Sequence, residues 1–130
     1  MKREIRRIGT ALLTLCAAAW LPMGASAAGD AEAGKALYAG LGTCFTCHGD
    51  TGKGDGLAAA ALDPKPRDFS AAEFKYDADK DGTPGSDADL ALIIKNGAAV
   101  YGGSPLMTPF GHLNEQQIVD IIAFIRTLKK

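Results

Sequence analysis

The chain has 130 residues, the length of one domain, and its 15 acidic residues nearly balance its 14 basic ones. Four of the basic residues lie within the first seven positions, so the rest of the chain is acidic, with ten basic and fourteen acidic residues from position 28 onward. This balance excludes nucleic acid as a partner, because phosphate binding requires clustered positive charge.

The first 27 residues are predicted to be an export signal. Their basic start precedes an apolar run over residues 8–21, and Ala25-Ser26-Ala27 then supplies small residues at the spacing that a signal peptidase reads. The apolar run is shorter than the roughly 20 residues that span a bilayer. We therefore expect cleavage after Ala27, no membrane anchor in the processed chain, and a single periplasmic domain over residues 28–130.

Three segments of the processed chain predict helices, and each begins with a residue that caps helices. Two of these starts carry a full capping box, Ser86 with Asp89 and Asn114 with Gln117. The predicted helices run from Asp30 to about Gly40, from Ser86 to Asn96-Gly97, and from Asn114 to about Leu128.

Between the first two helices, residues 49–85 are rich in glycine, proline and aspartate and predict a loop with one short alanine-rich turn. We find no repeat and no convincing strand in the sequence. The pattern therefore predicts a small, loop-rich, all-α domain. Large apolar side chains are few between Leu41 and Asp89, and a bound apolar cofactor would complete a core that these residues cannot build.

The segment Cys44-Phe45-Thr46-Cys47-His48 has the C-x-x-C-H form of a haem attachment site. Two thiols about one helical turn apart can add to the two vinyl groups of one porphyrin, and the imidazole of the next residue can then reach the iron. A thioredoxin-like dithiol and half of a zinc site are the alternatives, but no βαβ pattern surrounds the motif and no second pair of ligands accompanies it. We predict one covalent haem c, linked to Cys44 and Cys47 and ligated by His48.

Met107 is the predicted sixth ligand of that haem. It is the one methionine after residue 27, and prolines on both sides stiffen its loop. A thioether favours ferrous iron and so raises the reduction potential. His112 is the alternative ligand, and bis-histidine ligation would lower the potential.

Together these features resemble the class I cytochromes c, over nearly the whole processed chain. The resemblance rests on Gly34 and Tyr38, on the C-x-x-C-H motif, and on Pro105-Leu106-Met107 before a final apolar helix. It implies that the first and last helices cross, with Gly34 and Tyr38 packed against Ile121 and Phe124.

The same resemblance implies that a proline carbonyl after the motif, that of Pro64 or Pro66, accepts the Nδ1 proton of His48 and raises its basicity. Arg67 is predicted to pair with a haem propionate, because a guanidinium suits a planar carboxylate, although a solvated loop charge is the alternative. Two tyrosines are further candidates for hydrogen bonds to a propionate, Tyr76 and Tyr101.

Residues 77–82 match the start of an EF-hand loop, with Asp77, Asp79 and Asp81 at positions one, three and five and a glycine at position six. The match ends there, because Ala88 stands at position twelve, where a bidentate glutamate belongs, and Asp87 or Asp89 would have to substitute from a neighbouring position. The sequence is compatible with two interpretations of this segment, a structural calcium site and an acidic, solvated loop before a helix cap.

A haem with two protein ligands has no vacant position for a substrate, and no acid–base pair, nucleophile or phosphate-binding loop stands out in the sequence. We therefore expect a monomeric electron carrier, not an enzyme, that docks transiently with redox proteins as electron donor and acceptor. Its acidic charge predicts salt-sensitive association with basic patches. The alternatives are a fixed haem subunit of a periplasmic oxidoreductase and a gas-binding haem sensor.

Overall fold

The structure, a computed structural model, describes residues 28–130, so the predicted export signal lies outside the described residues. Helices and turns make up the regular structure of this part of the chain, which contains no strand. The elements are α1 (Ala31–Ala39), α2 (Phe45–His48), α3 (Asp87–Asn96) and α4 (Glu115–Thr127), with 3₁₀ turns at Ala59–Ala61 and Ala99–Tyr101. The predicted all-α, loop-rich class is confirmed, and within residues 28–130 no helix has the length and apolar character to cross a bilayer.

The three predicted helix starts are confirmed. The Asp30 side chain accepts hydrogen bonds from two backbone N–H groups of the first turn of α1. Ser86 with Asp89 and Asn114 with Gln117 form complete capping boxes at the starts of α3 and α4. Each box satisfies donors that a helix start would otherwise leave unpaired, so these boundaries are fixed locally.

The first and last helices pack directly on each other, as the resemblance implies. A Cβ on Gly34 would lie 1.9 Å from the backbone oxygen of Asp120 and 3.0 Å from the backbone nitrogen of Ile121, so only glycine permits this approach. One turn later, the ring of Tyr38 meets that of Phe124 edge-on, with centroids 5.2 Å apart. The Tyr38 hydroxyl donates to the backbone oxygen of Gly49 at 2.7 Å and thereby ties α1 to the loop after α2.

The core lies between α4, α3 and the inner face of α1. Five apolar side chains of α4 are buried, Leu128 at its C-cap is partly buried, and α3 contributes two further buried aliphatic residues. The buried members of this core on the two helices are Leu90, Ile94, Ile118, Ile121, Ile122, Phe124 and Ile125. The loops between α2 and α3 and between α3 and α4 leave a cavity beside this core, and that cavity contains the candidate site.

Candidate functional site

A cavity of about 340 Å³ brings together the four residues predicted to hold the haem. Cys44, Cys47 and His48 line it from α2 and its N-cap, and Met107 lines it from the loop before α4. Most of the other lining side chains are aliphatic or aromatic. The volume lies within the roughly 300–1,000 Å³ range of small-molecule pockets.

Helix α2 sets the spacing of the two cysteines and the histidine. Its backbone bonds run from the N–H groups of Cys47 and His48 to the carbonyl of Cys44, at 3.3 and 2.9 Å. Both thiols are half-buried, and neither forms a disulfide within the described residues. Burial raises the pKa of Cys44 to about 11, so its thiol is neutral at ordinary pH.

Two contacts fix the His48 imidazole. Its Nδ1 lies 3.0 Å from the backbone oxygen of Arg67, and because a carbonyl can only accept, Nδ1 carries the proton and the lone pair is on Nε2. Its ring stacks on Phe69, with centroids 4.4 Å apart and 16° between the planes. Burial lowers the pKa of His48, against the opposing effect of the Arg67 hydrogen bond, and favours the neutral form that a metal requires.

The prediction that Pro64 or Pro66 supplies this acceptor is wrong. The carbonyl of Pro66 faces the backbone of Gly54 instead, since a Cβ on Gly54 would lie 2.4 Å from its oxygen. The next carbonyl along the chain, that of Arg67, therefore faces His48. The chemical role that the resemblance implied is retained, one residue later.

Met107 is held in the cavity wall by backbone hydrogen bonds on both sides. Its N–H donates to Ser104 at 3.2 Å, and its carbonyl accepts from Ala98 at 3.1 Å. The alternative ligand, His112, is exposed and does not line the cavity, and its Nε2 lies 3.3 Å from the backbone oxygen of Leu41. Met107 therefore lines the same cavity as His48, and His112 does not.

Three cations and no carboxylate line the cavity among residues 28–130, although acids outnumber bases in that part of the chain. The predicted propionate partner, Arg67, is one of the cations, and Lys65 and Lys75 are the other two. Sequence reasoning missed both lysines, and the only signal for them was their proximity to Arg67. Of the two candidate tyrosines, Tyr76 lines the cavity and Tyr101 does not.

This lining fits a haem. Apolar walls suit the porphyrin faces, and the two thiols of one helical turn stand next to a neutral imidazole. Three cations without a competing acid offer counter-charges for two propionates. Haem is therefore compatible with both the polar and the apolar groups of the cavity.

The acidic loop before α3 is organised differently from the EF-hand prediction. Carboxylate oxygens of Asp77, Asp79 and Asp89 lie within 4.8 Å of one another, whereas Asp81 accepts a bond from the Thr83 N–H and is not in the group. Asp77 Oδ1 is buried without a hydrogen-bond partner among the described residues.

Asp89 is fully buried, and its carboxylate accepts four hydrogen bonds: from the N–H groups of Ala78 and Asp79 and from the N–H and hydroxyl of Ser86. Burial alone would raise the pKa of this carboxyl, but the hydrogen bonds lower it to about 2. These bonds use the lone pairs of the Asp89 carboxylate. Hydrogen bonds within the chain therefore hold the acidic loop against the start of α3.

Comparison with known proteins gives a family for the chain and a similar solved structure. Residues 31–129 match the family model described as cytochrome c. No curated protein matches the chain. Among solved structures, the chain resembles the Kuenenia stuttgartiensis reducing HAO-like protein complex Kustc0457/Kustc0458, with 30% identity and a TM-score of 0.59 over 75% of this chain. The match spans 42% of the length of that chain, so the present chain corresponds to less than half of it.

Proposed function

The chain belongs to the cytochrome c family, and on this premise we propose that it is a periplasmic carrier of single electrons with one haem. Membership makes it a c-type cytochrome in electron transfer, with redox proteins as partners. We further propose that Cys44 and Cys47 would hold the haem, that His48 and Met107 would ligate its iron, and that electrons would pass without substrate binding to the iron.

One observation carries the proposal: the C-x-x-C-H segment and Met107 line the same cavity from different parts of the chain. Haem bound there would supply a one-electron ferric–ferrous couple. The residues of the chain would hold the surroundings of the haem in place during electron transfer. His48 is held by Arg67 and Phe69, and the backbone of Met107 is held by its two hydrogen bonds, so these residues would hold the haem iron in the same surroundings in both oxidation states.

The test is expression of the full chain in a bacterium that attaches haem c, followed by mass spectrometry and spectroscopy of the periplasmic protein. We expect a red protein whose mass equals residues 28–130 plus one haem. Cys44→Ser or Cys47→Ser should remove one thioether bond, whereas Thr46→Ser, an exposed change between them, should leave attachment intact. A colourless protein with the mass of the polypeptide alone would refute the proposal.

A fixed subunit of a redox complex is the second candidate, because the similar solved structure is that of a protein complex. Gel filtration of native extract separates the two, since a carrier elutes alone and a subunit elutes with its partner. Carbon monoxide added to the reduced protein tests the gas sensor. Rapid binding would indicate a weak sixth ligand and would contradict the role of Met107.

The calcium site, with Asp77, Asp79 and Asp81 as its predicted ligands, stays a prediction, although Asp81 lies outside the group of neighbouring carboxylates. Asp77 Oδ1 is the group that supports it, because this oxygen is buried and lacks a partner among the described residues. Thermal unfolding of the holoprotein with calcium or with a chelator tests the site. A midpoint that is the same in both conditions would leave the acidic loop as a helix cap alone.

A further inference from the structure

The side chain of Tyr76 joins the loop before α3 to the loop that carries Met107. Its hydroxyl lies 3.3 Å from the backbone oxygen of Gly102, and because a carbonyl can only accept, the hydroxyl donates this hydrogen bond. The same hydroxyl lies close to Gly103, since a Cβ on that residue would be 3.3 Å from it. A phenol carries one proton, so Tyr76 has none left for a propionate while this bond is formed.

The loop over residues 98–107 is otherwise held by hydrogen bonds among near neighbours. The N–H of Ala98 donates to the carbonyl of Met107, and the carbonyl of Ala98 accepts from Gly103 at 2.9 Å. The hydroxyl of Tyr101 accepts from Asn96 at 2.8 Å. Within residues 28–130, the bond from Tyr76 is the only hydrogen bond that reaches this loop from outside residues 96–107.

The backbone on the other side of this bond is anchored to α3. The carbonyl of Tyr76 accepts from the N–H of Gly85 at 3.0 Å, which closes the loop over residues 76–85. The carboxylate of Asp89, fully buried on α3, accepts from the N–H groups of Ala78 and Asp79 in the same loop. Tyr76 therefore extends from a fixed loop and can restrain the loop that it contacts.

We propose that Tyr76 is a positioning residue for Met107. Its hydroxyl holds the 98–107 loop so that Met107 stays in the cavity wall, and this bond sets how readily Met107 leaves the iron of the bound haem. The inference rests on the proposed function, in which Met107 is the sixth ligand. Because the sixth position opens only when Met107 departs, Tyr76 helps to keep the protein a carrier that does not bind small molecules at the iron.

Displacement of Met107 by imidazole in the ferric holoprotein tests this proposal. At high imidazole concentration the rate reaches a limit set by the departure of Met107, and loss of the far-red absorption band reports that step. Tyr76→Phe removes the hydroxyl and retains the ring, whose centroid lies 5.4 Å from the ammonium of Lys75. Since one neutral hydrogen bond has a modest net strength, we expect the limiting rate to rise about threefold to tenfold.

The matched control is Tyr101→Phe, which removes a hydroxyl from the same loop. Tyr101 bonds to Asn96, its neighbour along the chain, and it does not line the cavity, so the limiting rate should change less than about twofold. A second pair separates the position of Met107 from access to the cavity. Met107→Ala with and without Tyr76→Phe should bind imidazole equally fast, because no thioether remains to be held.

Three outcomes would overturn the inference: an unchanged limiting rate in Tyr76→Phe, an equal rise in Tyr101→Phe, or a further rise when Tyr76→Phe is added to Met107→Ala. The last outcome would mean that the hydroxyl obstructs entry to the cavity and does not position Met107. Failure of the proposed function has a different signature. The wild-type protein would then hold no haem, or Met107→Ala would retain the far-red band, before any Tyr76 variant was compared.

Discussion

The ring of Phe69 lies nearly parallel to the ring of His48, and the backbone oxygen of Arg67, two residues earlier, lies 3.0 Å from Nδ1 of the same imidazole. One short stretch of loop therefore holds His48 at its edge and on its face. The carbonyl defines which nitrogen is free, and the phenyl ring defines the plane of the imidazole. Phe69 is itself fixed, since its N–H donates to the backbone oxygen of Gly52 at 2.7 Å.

Phe69→Leu should remove the face contact and leave the edge contact. We expect altered g-values in the electron paramagnetic resonance spectrum of the ferric protein, because the imidazole plane is then less defined, and a loss of about 1–3 kcal/mol in the free energy of unfolding. Phe74→Leu is the control, since Phe74 stacks on Phe69 and, among the described residues, forms no ring pair with His48. Equal spectral changes in both variants would mean that Phe69 acts only as a core residue and does not orient His48.

Met107→Ala should abolish the weak far-red absorption band that a methionine-ligated ferric haem shows. The physical reason is that no other methionine follows residue 27, and His112 is directed to Leu41 outside the cavity lining. His112→Ala should retain the band. Persistence of the band in Met107→Ala would disprove the ligand assignment.

Arg67→Gln should lower the midpoint potential of the haem, on the order of tens of millivolts. A cation in the cavity wall favours the ferrous state, which holds one more electron, so removal of the cation favours the ferric state. Lys35→Gln removes the same charge from an exposed position on α1 and should have a smaller effect. A redox titration of wild type and both variants measures the midpoint potentials. Equal shifts in the two variants would mean that the Arg67 charge is solvated and does not pair with a propionate.

Gly34→Ala should be severely destabilising, on the order of 3 kcal/mol or more, because its Cβ would overlap the backbone oxygen of Asp120. The two helices would have to separate, since backbone cannot rotate away as a side chain can. Gly111→Ala is the control, because nothing lies within 4 Å of its added Cβ. Denaturant unfolding followed by circular dichroism compares the two variants. Similar unfolding midpoints would contradict the close contact between α1 and α4.

Asp89→Asn should destabilise the protein near neutral pH and less so in acid. The pKa of Asp89 falls from 3.8 to about 2 on folding, so its carboxylate contributes stability above pH 4 that is lost as the pH falls through 2. The difference in unfolding free energy between wild type and variant should therefore narrow from pH 5 to pH 2. Asp81→Asn controls for the loss of one charge, and a difference that stays constant with pH would refute the expectation.

The sequence alone predicts the features that depend on residues close together along the chain. The capping boxes at Ser86 and Asn114 use residues three positions apart, so their geometry is encoded locally. The pairing of Gly34 with Asp120 and of Tyr38 with Phe124 is long-range, and the family resemblance supplied it. Composition and periodicity predict the apolar faces of these helices but not which residues meet.

Features that depend on the path of a loop could not be predicted. The choice between Pro66 and Arg67 as acceptor for His48 depends on the backbone between residues 49 and 66, where Gly49, Gly52 and Gly54 adopt positive φ. Glycine permits many such backbone paths, so the sequence does not determine which of two consecutive carbonyls faces His48. Helix α2 was not among the predicted helices, although the motif argument assumed one helical turn there, because four residues with modest helix propensity give no periodic signal.

The contact between α1 and α4 is separate from the wall of the cavity. Gly34, Tyr38, Asp120 and Phe124 make their contacts through protein atoms alone, and none of them lines the cavity. The junction of the two terminal helices thus uses one glycine, one backbone carbonyl and one pair of rings. A substitution in the cavity lining leaves the residues of this junction unchanged.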